Sequence, residues 1–426
     1  MSLSKKVRLS KVMKTASIVS IGNELLIGRM ADTNAVYISD KLLSISIPVV
    51  SIQTVPDEIG AIVRAIKLAA EDADAVLITG GLGPTDDDLT RQAFAKFLNA
   101  ELILQNELLQ KIREIFTRRN LPMPENNKIQ AYIPAGTKAI TNNLGTAPGI
   151  MANFNGKLFF AMPGVPAEMK KMLEESVLPL LEKSAEGQVI EIRKLKCFGA
   201  GESAVAELLG NLMQRGRNPL INCTVEYGDI TLCIVATAKD KETAIKPAHQ
   251  DEKLLRGILG DLVYGSGEQT LTEVVGGKLA LYQKTLATAE SCTGGMLAEL
   301  LTDIPGSSRY FTHGWVTYSN ESKVKELGVT ADLIERYGTV SSQVAEAMAK
   351  CAREKAKTDF AVGITGIAGP TGATAQKPVG LVFISISSQT ECETRQFIFP
   401  KDRKSIRLRA ALTALNMLRL CLLKVD

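Results

Sequence analysis

The chain turns from a predicted strand into a predicted helix at Ala289-Glu290-Ser291-Cys292-Thr293-Gly294-Gly295. The apolar run at residues 285–288 is typical of a buried strand, and residues 296–301 have the composition of a helix. Glycines beside a small hydroxyl let backbone and ligand approach closely, and a helix start leaves backbone N–H groups free for an anion. The structural alternative is a helix N-cap, where Ser and Thr are common. This turn predicts an α/β fold with a candidate site at Ser291.

Length, charge and cysteine content limit the class of protein. At 426 residues the chain exceeds one ordinary core, so we expect two or three domains. The net charge of +4 comes without a long basic stripe, so no nucleic-acid partner is expected. Seven cysteines without a Cys-x-x-Cys pair argue against disulfides and fit a reducing cytoplasm. Since no leader or membrane-spanning apolar stretch is visible, we expect a cytoplasmic protein without membrane contact.

Three regions of different pattern follow a short basic arm, residues 1–13, which we interpret as an N-terminal extension. Strands alternate with helices over residues 14–183, which predicts a three-layer domain with a parallel sheet covered on both faces. Residues 184–262 indicate a small α+β module with a hairpin turn at Tyr227-Gly228-Asp229. In residues 263–426 strands alternate with helices again, which predicts a C-terminal α/β/α domain.

A serine that attacks an amide needs a base, and the sequence offers few candidates. His313 is the only histidine of the C-terminal domain, so neither a Ser–His–Asp triad nor a histidine metal cluster is expected. The nearer candidate is Lys323 in Tyr318-Ser319-Asn320-Glu321-Ser322-Lys323, directly after a predicted strand. Burial or a second cation can lower the pKa of a lysine enough for it to act as a base. Spacing alone favours the alternative, a solvated helix lysine.

Further candidate stretches lie where predicted strands and helices meet. Thr365-Gly366-Ile367-Ala368-Gly369-Pro370 follows an apolar strand, at the position where α/β sheets form a ligand crevice. Lys377-Pro378-Val379-Gly380 opens the next strand. Asp402-Arg403 and Arg407 begin the last helix, where a phosphate could be held. The remainder of that helix is apolar, which indicates a core or dimer-facing position.

Together these stretches resemble the C-terminal domain of the competence- and damage-inducible CinA family across residues 265–424. The resemblance implies a homodimer that hydrolyses nicotinamide mononucleotide to nicotinic acid mononucleotide and ammonia without a cofactor. It implies Ser291 as nucleophile, Lys323 as general base and Tyr318 as a supporting hydroxyl. Ala373 departs from the family, which commonly has Gly there. The resemblance also implies that Arg403 binds the 5′-phosphate. The other substrate-binding candidates are Thr293, Gly294, Gly295, Thr365, Gly366, Ala368 and Gly369.

A second glycine-rich turn follows the predicted strand at residues 75–79. It is Thr79-Gly80-Gly81-Leu82-Gly83-Pro84-Thr85-Asp86-Asp87-Asp88-Leu89-Thr90. Glycines directly after a strand suit close approach to a phosphate, and neighbouring carboxylates suit a divalent cation. The structural alternative is that Asp87 and Asp88 cap the next helix and favour its dipole. Three acids in a row exceed what one cap requires, which favours a functional role.

Four shorter motifs accompany this turn, and the set resembles the N-terminal domain of the CinA family, which is similar to molybdopterin-binding domains. The motifs are Gly22-Asn23-Glu24-Leu25-Leu26, Asp32-Thr33-Asn34, Gly145-Thr146-Ala147-Pro148-Gly149 and Met162-Pro163-Gly164-Val165-Pro166. The resemblance implies hydrolysis of ADP-ribose to AMP and ribose 5-phosphate, dependent on Mg, Co or Mn, with potassium as a further cation.

The same resemblance assigns roles to residues of the glycine-rich turn. The residues that would cradle the pyrophosphate are Gly80, Gly81, Gly83 and Thr85, and those that would bind the metal are Asp87 and Asp88. Asn23 stands where many relatives have Asp, which would weaken metal binding if that Asp is a ligand. Glu24 and Glu168 are further site candidates.

Both resemblances together predict a bifunctional pyridine-nucleotide salvage hydrolase whose partners are small nucleotides. An alternative from another class is a pterin- or partner-binding competence protein with degenerate catalytic sites. A third option is a Ser/Lys amidase that acts on another amide.

Overall fold

The computed structural model describes residues 14–183 and 189–424. The expected extension, residues 1–13, lies outside the described residues, as do residues 184–188, where the predicted middle module would begin. The chain divides into two compact units, which are Met1–Glu191 with Thr237–Ile245 and Ile192–Ala236 with Lys246–Asp426.

One twisted sheet organises the first unit. The strands are β1 Ala16–Ile21, β2 Val49–Val55, β3 Ala75–Thr79, β4 Leu102–Leu104, β5 Tyr132–Pro134, β6 Lys138–Ile140, β7 Gly149–Phe154 and β8 Lys157–Met162. The sheet has the order β2-β1-β3-β8-β7-β6, and β4 pairs with β5 separately. The first four strands of the sheet run parallel, and β7 and β6 are antiparallel. The carboxyl ends of β1, β3 and β8 therefore meet at one edge.

Helices cover both faces of this sheet. They are α1 Asn23–Leu26, α2 Thr33–Ser44, α3 Ile59–Asp72, α4 Thr90–Leu98, α5 Asn106–Arg118, α6 Pro166–Met172 and α7 Leu178–Glu182. Alternate strand residues point to opposite faces, so Leu77 packs in the cluster with α2 and α6, and Ile78 packs in the cluster with α3 and α4. The predicted three-layer domain is confirmed. β4, β5 and β6, of three residues each, were not predicted, because strands this short carry little periodicity, and β7 was not predicted either.

Most of a small α+β module belongs to the second unit, while its residues 189–191 and 237–245 belong to the first. Its elements are β9 Val189–Phe198, α8 Glu202–Leu209, β10 Leu220–Glu226, β11 Asp229–Ala238, α9 Lys241–Leu259 and β12 Val263–Ser266. The strands form one sheet in the order β10-β11-β9-β12. Tyr227 and Gly228 have positive φ, 49° and 89°, and Glu226 pairs with Asp229. This is the predicted hairpin turn, because a two-residue hairpin favours positive φ at both central positions.

The remainder of the second unit is an α/β/α sandwich. Its strands are β13 Leu286–Glu290, β14 Phe311–Val316, β15 Phe360–Gly366, β16 Leu381–Ser387 and β17 Cys392–Ile398. The sheet has the order β14-β13-β15-β16-β17, with β14, β13 and β15 parallel and the last two strands antiparallel. The helices are α10 Leu271–Leu281, α11 Met296–Thr302, α12 Asn320–Ser322, α13 Ala331–Tyr337, α14 Ser342–Ala356 and α15 Arg403–Leu422. One apolar cluster joins α10, α11 and α15 to the sheet, and another joins α13 and α14 to it.

The apolar last helix, α15, lies in the core of the second unit. Ala410, Ala414, Leu418 and Leu422 are all buried in the cluster that α10 and α11 share. Burial within the chain thus accounts for the apolar composition of α15. The homodimer gains no support from this helix and stays a prediction. Within the described ranges, each helix is too short or too polar to cross a bilayer.

Candidate functional site

Ser291 lies at the carboxyl edge of the second unit's sheet, directly after β13. Its backbone N–H donates to the Ile364 carbonyl at 2.9 Å, because β15 runs parallel beside β13. On the other side, the Thr317 N–H donates to the Glu290 carbonyl at 2.9 Å and extends the pairing with β14. The ends of three parallel strands therefore meet at Ser291, the position at which α/β sheets bind ligands.

The Lys323 side chain reaches Ser291 from the segment that follows β14. Lys323 opens a π-helical turn, Lys323–Leu327, and its side chain is fully buried. Lys323 Nζ lies 2.9 Å from Ser291 Oγ and donates to the Thr317 carbonyl at 2.7 Å. The solvated-helix alternative for this lysine is therefore wrong, because the chain folds the amine against the hydroxyl.

Burial lowers the pKa of Lys323 from 10.5 to about 8, since the ammonium loses its hydration there. About a tenth of the side chains is then neutral at pH 7, enough to supply an amine that accepts a proton. The neighbouring Cys292 has its pKa raised by burial to about 12, so it stays a thiol. Of the two groups, only the lysine changes protonation near neutral pH.

The glycine turn after Ser291 differs from the expected anion site at the start of α11. Gly294 and Gly295 have φ of 61° and 90°, which favours glycine at both positions. The buried Glu290 carboxylate accepts from the N–H groups of Leu297 and Ala298, at 3.1 and 2.9 Å. The N–H groups of Leu297 and Ala298 are therefore not available to a bound anion, because the Glu290 carboxylate occupies the expected anion site.

The backbone donors left at the turn, among the described residues, are those of Cys292, Thr293 and Gly295. The Ser291 N–H is bonded to β15, whereas these three have no oxygen acceptor within the described ranges, and those of Cys292 and Thr293 face the Cys292 sulfur. Arg407 holds the turn from α15, since its Nε and Nη2 donate to the Thr293 carbonyl at 3.0 and 2.6 Å. From the sequence, Arg407 was expected near a helix start, where it could bind a phosphate. In the structure its guanidinium instead binds the turn that follows Ser291.

Tyr318 and Arg403 form a separate polar edge beside this site. Arg403 donates to the Tyr318 hydroxyl and to the Gly369 carbonyl, both at 2.6 Å. Tyr318 is exposed, and among the described residues its hydroxyl has no hydrogen bond to Ser291 or Lys323. Its predicted support of the proton transfer is therefore not seen in the geometry.

The predicted crevice residues at the end of β15 and just after it serve mostly to pack the sheet. The buried Thr365 hydroxyl donates to the Thr339 carbonyl at 2.9 Å. A Cβ on Gly366 would lie 2.6 Å from the Leu381 carbonyl oxygen, so the neighbouring strand requires glycine. Ala368 is buried in the core, and Gly369 contributes the carbonyl that Arg403 binds.

A cavity of about 530 Å³ lies at the sheet edge of the first unit, beyond β1, β3 and β8. The glycine-rich turn forms part of its wall. A Cβ on Gly80, which has φ of 103°, would lie 2.1 Å from the Ile21 carbonyl oxygen. A Cβ on Gly83 would lie 2.4 Å from Asp88 Oδ2. The turn therefore needs glycine for its own packing, and it also presents bare backbone to the cavity.

Asp88 braces this turn from within. Its carboxylate accepts from the Gly83 N–H at 2.7 Å, from the Thr85 N–H at 2.9 Å and from the Thr85 hydroxyl at 2.6 Å. The buried Arg91 donates to the Leu82 and Gly83 carbonyls at 2.6 and 2.7 Å, and burial lowers its pKa to about 10. Both carboxylate oxygens of Asp88 therefore hold the turn in place.

The other carboxylates of the cavity wall are spread out. Asp87 is exposed, and its hydrogen bond from Thr85 lowers its pKa. Asp57 accepts from the Asn23 N–H at 2.9 Å, while burial and then the charges of Glu24, Asp87 and Asp88 raise its pKa. Sequence reasoning missed Asp57, although a carboxylate just after the second strand was a usable signal. Glu168 also lines the cavity and accepts from Asn142 at 2.6 Å.

No group of three or more metal-binding side chains occurs in the described part of the chain. Asp88 is occupied by the turn that it braces, which leaves Asp87 as the exposed carboxylate of the pair. The residues present thus do not form a complete metal site by themselves. Metal binding by Asp87 and Asp88 stays a prediction.

Fold and site define a multidomain α/β protein whose C-terminal part carries a buried serine–lysine pair. Family models match three segments: "Probable molybdopterin binding domain" over residues 17–183, "Damage-inducible protein CinA KH domain" over 192–265 and "CinA C-terminal domain" over 268–422. The chain belongs to the CinA family.

Relatives match along nearly the whole chain. A competence-damage inducible protein of Caldicellulosiruptor saccharolyticus is 41% identical over 404 residues, 95% of this chain and 98% of the relative. A CinA-like protein of Dictyoglomus thermophilum is 41% identical over 408 residues, 96% of this chain and 99% of the relative. The crystal structure of CinA from Thermoplasma acidophilum is 35% identical and covers 38% of this chain and 94% of its own, with a TM-score of 0.36.

Proposed function

We propose that the C-terminal part deamidates nicotinamide mononucleotide to nicotinic acid mononucleotide and ammonia, with Ser291 as nucleophile and Lys323 as base. The observation that carries this proposal is the 2.9 Å separation of Lys323 Nζ and Ser291 Oγ, with the amine buried and its pKa near 8. His313, the other candidate base, is exposed and stacks on Trp315. A serine–lysine pair is sufficient for amide attack, because an amine of lowered pKa can take the hydroxyl proton.

In the first half-reaction, neutral Lys323 takes the proton of Ser291 as Oγ bonds to the carboxamide carbon. The Thr317 carbonyl holds the amine during this transfer and stabilises the ammonium that results. The carbonyl oxygen of the substrate becomes an oxyanion, for which the N–H groups of Cys292, Thr293 and Gly295 are the candidate donors.

The intermediate then collapses by breaking the carbon–nitrogen bond. The Lys323 ammonium returns its proton to the leaving nitrogen, which departs as ammonia and leaves an ester on Ser291. Water attacks this ester with Lys323 again as base, and proton return to Oγ releases nicotinic acid mononucleotide. Arg403 at the exposed edge is our candidate for the 5′-phosphate, since a guanidinium suits phosphate oxygens.

Product analysis of the full chain with nicotinamide mononucleotide tests this proposal. Ser291→Ala and Lys323→Ala should each abolish ammonia release without loss of the folded state, measured by circular dichroism. Lys325→Ala is the matched control, because Lys325 lies two residues further on and is exposed. Full activity in Ser291→Ala would falsify the nucleophile assignment, and no ammonia from the wild-type chain would end the proposal.

For the first unit we propose hydrolysis of ADP-ribose to AMP and ribose 5-phosphate. The bare backbone of the glycine turn, set in a cavity of about 530 Å³, supports binding of a pyrophosphate there. Binding of a pterin without chemistry is the alternative, favoured by the family model over residues 17–183 and by the scattered carboxylates.

Incubating the chain with ADP-ribose and Mg, Mn or Co separates these two functions of the first unit. Hydrolysis predicts AMP, which should fall in Asp87→Ala while deamidation persists. Saturable pterin binding without any product supports the alternative. Parallel loss of both activities in Asp87→Ala would argue against two separate sites.

A further inference from the structure

A second cavity, of about 560 Å³, lies within the second unit between the middle module and the C-terminal sandwich. Neither Ser291 nor Lys323 lines it. Its wall holds one carboxylate residue, Asp261, against three arginines, Arg395, Arg409 and Arg419. The volume is that of a small-molecule site, and the lining favours an anion.

Arg409 is the arginine of this wall whose guanidinium is available to bind a ligand. Its guanidinium lies 5.5 Å from the centroid of the Phe399 ring, which in turn stacks on Phe397 at 5.5 Å. Within the described ranges Arg409 has no ion-pair or hydrogen-bond partner, whereas Arg395 pairs with Glu393. A guanidinium held on an aromatic surface without an acid is ready to bind an anion.

Asn416 supplies a buried donor beside it. The residue is 7% exposed, and its Oδ1 accepts from Arg419 Nε and Nη2 at 3.0 and 2.9 Å. These bonds orient the amide so that Nδ2 faces Gly199 in the cavity wall, where a Cβ would lie 3.2 Å away. Nδ2 has no acceptor in the part of the chain that the structure describes. This amide therefore presents an unpaired donor at the cavity wall, where a ligand can reach it.

The start of α8 faces the same cavity. Gly199, Ala200 and Gly201 line it, and the N-cap Gly201 gives the helix no side-chain cap. The first-turn N–H groups of α8 therefore lack a side-chain cap and can bind an anion, which the helix dipole favours and the Glu202 carboxylate of the same turn opposes.

We propose that this cavity binds a nucleotide. Arg409, Asn416 Nδ2 and the start of α8 would hold the phosphate, and the partly exposed Phe397 ring would take the planar base. This ligand class combines the two features of the wall, since phosphate matches the unpaired donors and a base matches the aromatic rings. The site is independent of the deamidation proposed above.

Photolabelling of the full chain with 8-azidoadenosine 5′-monophosphate tests the site, with peptide mass spectrometry to locate the label. We expect label on peptides that contain Phe198, Phe399 or Asn416, with protection by AMP but poor protection by adenosine. Arg409→Ala should lower labelling there about tenfold, by loss of a charge-assisted hydrogen bond. Arg336→Ala, which removes an exposed arginine outside the cavity wall, should leave labelling unchanged.

Gly201→Asp is a second test variant, and this substitution should leave the fold intact. Gly201 has φ of −82°, no atom lies within 4 Å of its added Cβ, and Asp is a favoured N-cap. The new carboxylate should repel the phosphate and abolish labelling without lowering the melting temperature. Gly201→Asn caps the helix without charge and should retain more labelling than Gly201→Asp.

Three results would overturn the proposal. The first is label confined to the glycine-rich cavity of the first unit or to the Ser291 site. The second is cavity labelling that both Arg409→Ala and Gly201→Asp leave intact. The third is protection by a single-stranded oligonucleotide at far lower concentration than AMP, which would assign the surface to a nucleic acid.

Discussion

Replacing Lys323 by methionine measures how strongly the fold opposes the charge of the buried amine. Methionine is of similar length and removes the titrating group. Burial lowers the pKa of Lys323 from 10.5 to about 8. At about 1.4 kcal/mol per pKa unit, the charged lysine costs the folded state about 3 kcal/mol.

The sign follows from proton binding in the two states. Below pH 8, Lys323 is charged in both folded and unfolded chains, and the full cost applies. Between pH 8 and 10.5 the folded chain has released a proton that the unfolded chain still holds, so the free energy of unfolding rises with pH. Lys323→Met has no such cost but leaves the Thr317 carbonyl unpaired, which costs about 1 kcal/mol. The variant should therefore be more stable by about 2 kcal/mol at pH 7, and this advantage should vanish towards pH 10.

Urea denaturation at pH 7, 8, 9 and 10 checks this prediction. Trp315, the single tryptophan, packs against the cluster with α14, so its fluorescence follows unfolding of the second unit. Lys325→Met is the control, because Lys325 is exposed and should show no pH-dependent difference. If the stability difference between wild type and Lys323→Met stays constant from pH 7 to 10, the lysine is not desolvated and the reasoning fails.

Further predictions concern the rate, the substrate and the glycine turn. The kcat/KM for nicotinamide mononucleotide should rise with pH to a plateau above about 8, because Lys323 must be neutral; a flat profile from pH 6 to 10 contradicts this. Arg403→Ala should raise KM for nicotinamide mononucleotide about tenfold and leave that for the nucleoside unchanged, measured by ammonia release; equal losses would remove Arg403 from phosphate binding. Arg91→Leu strands the two carbonyls that Arg91 binds and should lower the free energy of unfolding of the first unit by about 2–3 kcal/mol; an unchanged urea midpoint contradicts this. A chelator should leave deamidation intact, and its loss would argue for a metal.

Much of the fold was predictable because strands and helices alternate with strong apolar periodicity. The strand at residues 75–79 and the helix from Arg403 coincide with β3 and the start of α15. Ser291 could be placed at a strand end from its neighbours alone. The sequence also predicted the glycine turn, since glycine clusters after a strand have few other uses.

Other residues gave no such signal. Glu290 and Asp88 look like ordinary acids in sequence, yet one caps α11 and the other braces the turn at Gly83. Arg91 looks like a solvated helix residue and Arg407 like a phosphate ligand, but their guanidiniums bind backbone carbonyls of the two candidate sites. Hydrogen bonds between distant segments leave no mark on local periodicity, so these roles became visible only in three dimensions.

By itself, the sequence determined which segments become strands and helices, because side-chain periodicity is a local property. It also placed a hydroxyl and two glycine turns at strand ends. Only the tertiary structure decided that Lys323 acts as a buried neighbour of Ser291, since the parallel pairing of β13 and β14 joins residues 32 positions apart. Desolvation by the surrounding fold then lowers the pKa of that amine, and no local pattern encodes desolvation.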